Sequence, residues 1–194
     1  FVKAAPGGTY QLIVQDAVND FSVPSHLVTR EYNDLIRKAL RPDGVYLLTV
    51  IDSLTEGPFL RAAVRTMQQS FGEVLVLSSE ADFRNELRDV YIIAGFGPPS
   101  SEQAAQIVRA ADLPIQIRDG NPDTANGDRA AEQGRSAARV TLAELVAQTR
   151  AHPVPLERMQ EILTQDGPQG VVLTDRFAPV DRLMSRIYLP PRKR

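Results

Sequence analysis

Between residues 10 and 52 the pattern of apolar and polar positions is typical first of a strand, then of a helix and then of a second strand. Gln11 to Val14 is a short, mostly apolar run that predicts a strand. From Thr29 onwards apolar residues recur at helical spacing, as Tyr32, Leu35, Ile36, Ala39 and Leu40. This helix is expected to end at Pro42-Asp43-Gly44, because proline blocks continuation and glycine accepts the turn. Val45 to Ile51 is almost continuously apolar, which predicts a strand buried on both faces and a right-handed parallel crossover.

Strands and helices continue to alternate beyond this crossover. A helix is predicted from Phe59 to Phe71, followed by strands from Val74 to Leu77 and from Val90 to Ala94. Because these two strands are close together in the sequence, they are predicted to form an antiparallel pair at the edge of the sheet. The alternation predicts an α/β fold with a doubly wound sheet over residues 1–99.

Residues 100–194 are predicted to form a mostly helical extension. Residues 120–136 are polar and rich in glycine, asparagine and aspartate, which predicts a mobile loop. The tail is expected to pack back on the sheet domain, with a helix that Pro179 starts. The other predicted elements are one short strand and three helices, over Pro114–Ile117, Ser101–Ala111, Thr141–Arg150 and Leu156–Gln165.

Acidic side chains follow both strands of the crossover. In open sheets of this kind ligands bind at the carboxyl ends of the strands, where Asp16 and Asp52 stand. Asp16 could accept a proton from an amine or hold a cationic ligand, and Asp20 with Asn19 on the same loop would suit a ligand that carries amines. The alternatives are a solvated loop acid or helix cap for Asp16 and an Asx turn for Asp20. For Asp52 a strand-end turn residue is the favoured alternative.

Five further side chains have a functional and a structural interpretation. His26 could act as an acid or base, but a lone loop histidine favours a surface or packing role. Phe21 and Tyr32 could contact an alkyl chain, although Tyr32 falls on the apolar face of its helix. Asp175 and Asp181 could close over a cleft, but capping of the tail helix is the favoured role.

Composition excludes several classes of function. The 22 Lys and Arg nearly balance the 24 Asp and Glu, so nothing suggests a nucleic-acid surface. The chain has no cysteine and only two histidines, which excludes disulfides, thiol catalysis and a multi-histidine metal centre. The apolar runs fall far short of the ~20 residues that a membrane helix needs. Because the chain opens with Phe1 and contains no glycine-rich nucleotide loop, we expect a piece of a longer protein.

Three segments resemble those of a known enzyme family. Asp16 to Tyr32 reads DAVNDFSVPSHLVTREY, Leu40 to Tyr46 reads LRPDGVY, and Leu173 to Asp181 reads LTDRFAPVD. They are similar to segments of the spermidine synthase family of aminopropyltransferases, in particular to a branch that is often fused to a membrane transporter-like region. Residues 100–169 contain no such motif.

The resemblance implies a class I methyltransferase-type fold, of which residues 1–99 would be the C-terminal half. It implies transfer of an aminopropyl group from decarboxylated S-adenosylmethionine, as cosubstrate, to a diamine such as putrescine, without a metal. Asp16 aligns with the family aspartate that helps to deprotonate the attacking amine. Asp20 lies one position away from a second family acid that holds the diamine, and Asn19 and Asp52 complete the predicted substrate-binding residues.

The resemblance also implies features of the complete protein. The residues that bind the nucleoside would precede Phe1, so the isolated chain is expected to be inactive. The open edge of the Gln11–Val14 strand predicts a homo-oligomer or aggregation. A cytoplasmic location is expected, with a parent protein linked to a membrane region as one option. Two alternatives stay open: an S-adenosylmethionine-dependent methyltransferase, and a non-catalytic binding or scaffold domain of the same fold.

Overall fold

The computed structural model describes residues 2–17, 23–81, 83, 88–99, 106–108, 116–118, 139–141, 151–167 and 170–188. Its strands are β1 (Tyr10–Gln15), β2 (Leu40–Ser53), β3 (Glu73–Ser78), β4 (Arg88–Phe96), β5 (Gln106–Ile107), β6 (Gln116–Arg118), β7 (Arg139–Thr141) and β8 (His152–Pro153). Its helices are α1 (Arg30–Ala39), α2 (Pro58–Met67), α3 (Leu156–Thr164) and α4 (Val180–Tyr188), with short 3₁₀ turns at Val2–Ala4 and Ser25–Leu27.

The main sheet has the strand order β1-β2-β4-β3-β5, and β8 also pairs with β3. β1 and β2 are parallel and are joined through α1, which confirms the predicted crossover. β4 is antiparallel to both β2 and β3. The predicted α/β fold is therefore confirmed.

The prediction that β3 and β4 form a hairpin at the edge of the sheet was wrong in one respect. The two strands are antiparallel, but β4 lies between β2 and β3, and its residues Ile93, Ala94 and Phe96 are buried. The physical reason is that the second half of β4 is apolar on both faces, so it is buried best with a neighbouring strand on each side.

Local chemistry explains where α1 begins and ends. The hydroxyl of Thr29 accepts the N–H of Tyr32 at 3.2 Å, which caps the first turn. Leu40 is already extended, so the helix ends before the predicted Pro42-Asp43-Gly44 turn. In the sheet Tyr10 pairs with Leu40 but Leu12 pairs with Val45, so the intervening residues of β2 bulge out of the pairing. A Cβ atom at Gly44 would stand 3.0 Å from the carbonyl oxygen of Tyr10, which explains the glycine at this close approach.

The helices pack on one face of the sheet. Tyr46, Leu48 and Val50 of β2 belong to one buried cluster with apolar residues of all four helices. A smaller cluster on the opposite face contains Val45 and residues of β3 and β4, and it includes no residue of the four helices. Leu12 and Val14 lie on that second face and are 53% and 59% exposed. Over β1, the described residues thus leave the second face of the sheet open.

The extension agrees with the sequence in part. The predicted helix at Leu156–Gln165 is confirmed as α3, and the tail helix α4 begins directly after Pro179. The predicted helix at Ser101–Ala111 was wrong at Gln106–Ile107, because these residues pair with β3 as strand β5. Of the predicted short strand at Pro114–Ile117, the described residues Gln116 and Ile117 belong to β6, which pairs with β7. The loop at 120–136 and the helix predicted after Thr141 lie outside the described residues.

Candidate active site

Asp16 follows the last residue of β1 and is exposed to solvent. A groove of about 480 Å³ is lined by β1, by the residues that follow it and by part of α1, and Asp16 is among its lining residues. Its walls are mostly apolar and include Leu12, Ile13, Val14, Leu27 and Ile36. Asp16 is the one acid among the described residues that line this groove. The arrangement offers apolar walls to an alkyl chain and one carboxylate to an amine.

Tyr32 also lines this groove. Burial raises the pKa of this phenol above its ordinary value, so the group stays neutral at physiological pH. Tyr32 packs at the margin of the core cluster, as its place on the apolar face of α1 predicts. It can therefore contact a ligand without taking up charge.

Gln15, the residue before Asp16, connects the end of β1 to Leu27. Its Nε2 donates to the carbonyl oxygen of Leu27 at 3.0 Å, and its Oε1 accepts from the hydroxyl of Tyr46 at 2.9 Å. The side chain is 8% exposed and lies on the helix-covered face of the sheet. The sequence did not predict this role. The available signal was a polar residue at an inward position of a mostly apolar strand.

Asn19, Asp20 and Phe21 lie outside the described residues. The prediction that Asp20 and Asn19 accompany Asp16 as substrate-binding residues stays a prediction.

Asp52 caps a helix from inside the core. It is 0% exposed, its Oδ1 accepts the N–H of Ser53 at 2.9 Å, and its Oδ2 accepts the N–H of Leu60 in the first turn of α2 at 2.7 Å. A Cβ atom at Gly57 would overlap the Asp52 carboxyl group, so the chain passes too close for any other residue. Burial raises the pKa of Asp52 to about 6, although the two hydrogen bonds and the positive charge of Arg61 act in the opposite direction.

The structure does not bring Asp52 to the groove that Asp16 lines. Gln15 at the end of β1 lies opposite Leu48, so β1 stops about 13 Å short of Asp52, at roughly 3.3 Å per residue. The prediction that Asp52 binds substrate is not supported, because its carboxylate has no solvent-exposed surface. The physical reason is that β2 continues past the end of β1. Asp52 has the structural role that the turn interpretation gave it.

A second groove of about 640 Å³ lies between the start of α1 and the tail. His26 is exposed in its wall, and the two grooves share Val2, Leu27 and Tyr32. Asp175 lies in this second groove, where its Oδ1 accepts the hydroxyl of Thr29 at 2.7 Å. The N–H of Asp175 donates to Oε2 of Glu31 at 3.0 Å.

These bonds change the interpretation of the tail acids. The favoured interpretation, that Asp175 caps the tail helix, was wrong: its carboxylate holds the cap residue of α1 instead. Asp181 is exposed in the first turn of α4, as the capping interpretation expects.

Within the described part of the chain, no group of three or more acidic, histidine or cysteine side chains is placed to hold a metal ion. No helix among those residues combines the length and the apolar character that a membrane span requires.

Comparisons with known proteins place the fold. No protein-family model and no curated protein matches the chain. Among solved structures, a probable spermidine synthase from Corynebacterium glutamicum aligns with a TM-score of 0.56 and 12% identity, over 92% of this chain and 52% of that one. A spermidine synthase from Thermotoga maritima aligns with a TM-score of 0.39 and 15% identity, over 82% of this chain and 45% of that one.

The first of these likenesses shows a class of structure. The chain has the mixed α/β, methyltransferase-like fold that the Corynebacterium glutamicum protein has. It spans about half the length of the two matched structures. The comparisons do not support the predicted link to a membrane transporter-like region.

Proposed function

We propose that this chain provides the amine side of an aminopropyl-transfer site. The reaction is transfer of the aminopropyl group of decarboxylated S-adenosylmethionine to a diamine such as putrescine, as in polyamine biosynthesis. The observation that carries the proposal is the position of Asp16, at the carboxyl end of β1 and on the rim of an apolar groove. The fold shared with a probable spermidine synthase supports it.

In this proposal Asp16 orients the attacking amine and accepts its proton. A protonated amine has no free electron pair, so its proton passes to the Asp16 carboxylate before or during attack. The nitrogen then bonds to the aminopropyl carbon next to sulfur. The carbon–sulfur bond breaks with its electron pair going to the sulfonium, and methylthioadenosine leaves. A positioned base of this kind typically contributes ~10²–10⁴-fold in rate.

The groove explains which acceptor would fit. Methylene groups of a diamine would lie against Ile13, Leu27 and Ile36, while one amine reaches Asp16. Because the chain spans about half of the matched synthases, we propose that the nucleoside half of the site comes from residues outside this chain. Asp20 and Asn19 remain the proposed partners of Asp16 for the second amine.

The test is an assay on the complete protein with putrescine and decarboxylated S-adenosylmethionine, in which spermidine and methylthioadenosine are measured. Asp16→Asn removes the base and is expected to lower turnover by roughly 10²–10⁴-fold. Asp43→Asn is the matched control, because Asp43 is an exposed acid on the bulge beside Tyr10, at the other end of β1. Full activity of Asp16→Asn would refute the assignment of the base.

Two other outcomes separate the alternatives. Binding of the nucleoside without transfer to any diamine would favour an S-adenosylmethionine-dependent methyltransferase on the same fold. Absence of both binding and turnover would favour a scaffold domain, for which the charge of Asp16 is irrelevant.

A further inference from the structure

Gln15 is a polar residue in a place that packing alone would give to an apolar one. In the parallel pairing it lies opposite Leu48, next to the pair Val14–Leu47 and two residues after the pair Ile13–Tyr46. Leu48 and Tyr46 are buried in the main core cluster, and Gln15 itself is 8% exposed. Burial of an amide is unfavourable unless both of its ends find partners. Both ends of Gln15 do.

The orientation of the Gln15 amide is determined by its partners. The carbonyl oxygen of Leu27 can only accept, so Nε2 must face it, and Oε1 must then face the hydroxyl of Tyr46. Burial raises the pKa of Tyr46 far above its ordinary value, so this hydroxyl keeps its proton and donates. Both polar atoms of the Gln15 side chain thus have a protein partner, and the residue also lines the groove.

The two hydrogen bonds join points that are far apart in the sequence. Tyr46 belongs to β2, and Leu27 ends the 3₁₀ turn that precedes α1. Gln15 therefore fixes both ends of the chain segment between itself and Leu27, and Asp16 is the first residue of that segment. The carboxylate is itself exposed, so the core does not hold it directly. Its position depends on the backbone that Gln15 anchors.

We propose that Gln15 is a positioning residue for Asp16, acting through Tyr46 and the carbonyl group of Leu27. The role rests on the proposed function in that Asp16 is taken as the base. Loss of the two bonds lets the backbone after β1 move, so that the carboxylate spends less time where it can take the proton of the amine. A misplacement of about 1 Å can lower a rate by roughly 10²-fold.

The test compares Gln15→Met with the wild-type complete protein. Methionine has a similar length and is apolar, so it keeps the packing and removes both hydrogen bonds. We expect kcat for aminopropyl transfer to fall by roughly 10–100-fold while KM for decarboxylated S-adenosylmethionine stays unchanged. Gln11→Met is the matched control, because it makes the same chemical change four residues earlier on the same strand.

A second variant separates positioning from a general loss of stability. Tyr46→Phe removes one of the two bonds and should give a smaller decrease in kcat. The double variant Gln15→Met/Tyr46→Phe should be no slower than Gln15→Met alone, since the shared hydrogen bond is already lost. Additive losses, or losses that come with less folded protein and an unchanged kcat per folded molecule, would overturn the proposal.

Hydrogen exchange provides a readout that does not need activity. Gln15→Met should speed exchange of the amides of Leu27 and Val28 and leave those of β3 unchanged. If the wild type transfers no aminopropyl group, the proposed function fails, yet this exchange result still tests whether Gln15 anchors Leu27. Unchanged protection at Leu27 and Val28 would refute it.

Discussion

The buried carboxylate of Asp52 makes a prediction about stability whose sign is not obvious. Two effects oppose each other at this side chain. The N–H groups of Ser53 and Leu60, together with Arg61, favour the charged form, while complete burial favours the neutral form. Burial prevails, and the pKa rises from 3.8 to about 6.

The size of the effect follows from this difference. A raised pKa means that the folded chain binds the Asp52 proton more tightly than the unfolded chain does. The contribution of this proton to the unfolding free energy is therefore complete below about pH 4 and is lost as the pH rises through about 6. A difference of about 2 pKa units corresponds to about 3 kcal/mol of unfolding free energy.

The perturbation that tests this is Asp52→Asn, because the amide resembles the neutral carboxyl group at every pH. Urea unfolding of both proteins between pH 4 and pH 7.5 gives the difference in unfolding free energy at each pH. Between pH 4 and pH 7.5 the unfolding free energy of the variant is expected to rise relative to that of the wild type by up to about 3 kcal/mol. The other titrating groups cancel in the difference.

Two results would refute this reasoning. A difference that stays constant with pH would mean that Asp52 keeps its ordinary pKa. A variant that loses stability relative to the wild type as the pH rises would mean that the hydrogen bonds and the helix N-terminus outweigh burial.

Two further predictions concern the tail and the open edge. Thr29→Val removes both the cap of α1 and the bond to Asp175, and should lower the unfolding free energy by about 1–2 kcal/mol in urea titrations. Asp175→Asn keeps an acceptor for Thr29 and should lower the unfolding free energy by less than Thr29→Val does. Equal decreases for the two variants would contradict the assigned hydrogen bonds. Among the described strands β1 pairs with β2 alone, and its exposed Leu12 and Val14 should make the chain self-associate in sedimentation experiments, which Val14→Lys should reduce. A wild-type chain that is strictly monomeric would contradict that prediction.

Local periodicity was enough to predict the crossover from β1 through α1 to β2. The helical spacing after Thr29 and the continuous apolar run from Val45 to Ile51 both depend on neighbours in the sequence, and the structure agrees with both. The position of β4 could not be read in this way. Which strand lies between which others depends on pairings that are distant in sequence, and the apolar pattern of β4 suits several of them.

Two errors arose where tertiary contacts outweigh local preference. The alanine-rich stretch around Gln106–Ile107 favours a helix, but pairing with β3 makes it a strand. Asp52 was placed beside Asp16 because both follow strands, whereas the register shows that β2 is longer. Gln15 was overlooked for a related reason: nothing in its immediate sequence indicates Leu27 or Tyr46 as its partners.

The bond between Thr29 and Asp175 also orders events in time. The two residues are 146 positions apart, so the chain must be synthesised at least as far as Asp175 before this bond can form. Until then the hydroxyl of Thr29, the cap residue of α1, has no carboxylate to donate to. The backbone N–H of Arg30 likewise lacks its acceptor, the carbonyl oxygen of Leu173. The start of α1, and with it the far end of the segment that begins at Asp16, therefore reaches its final arrangement only after Leu173 and Asp175 have emerged from the ribosome.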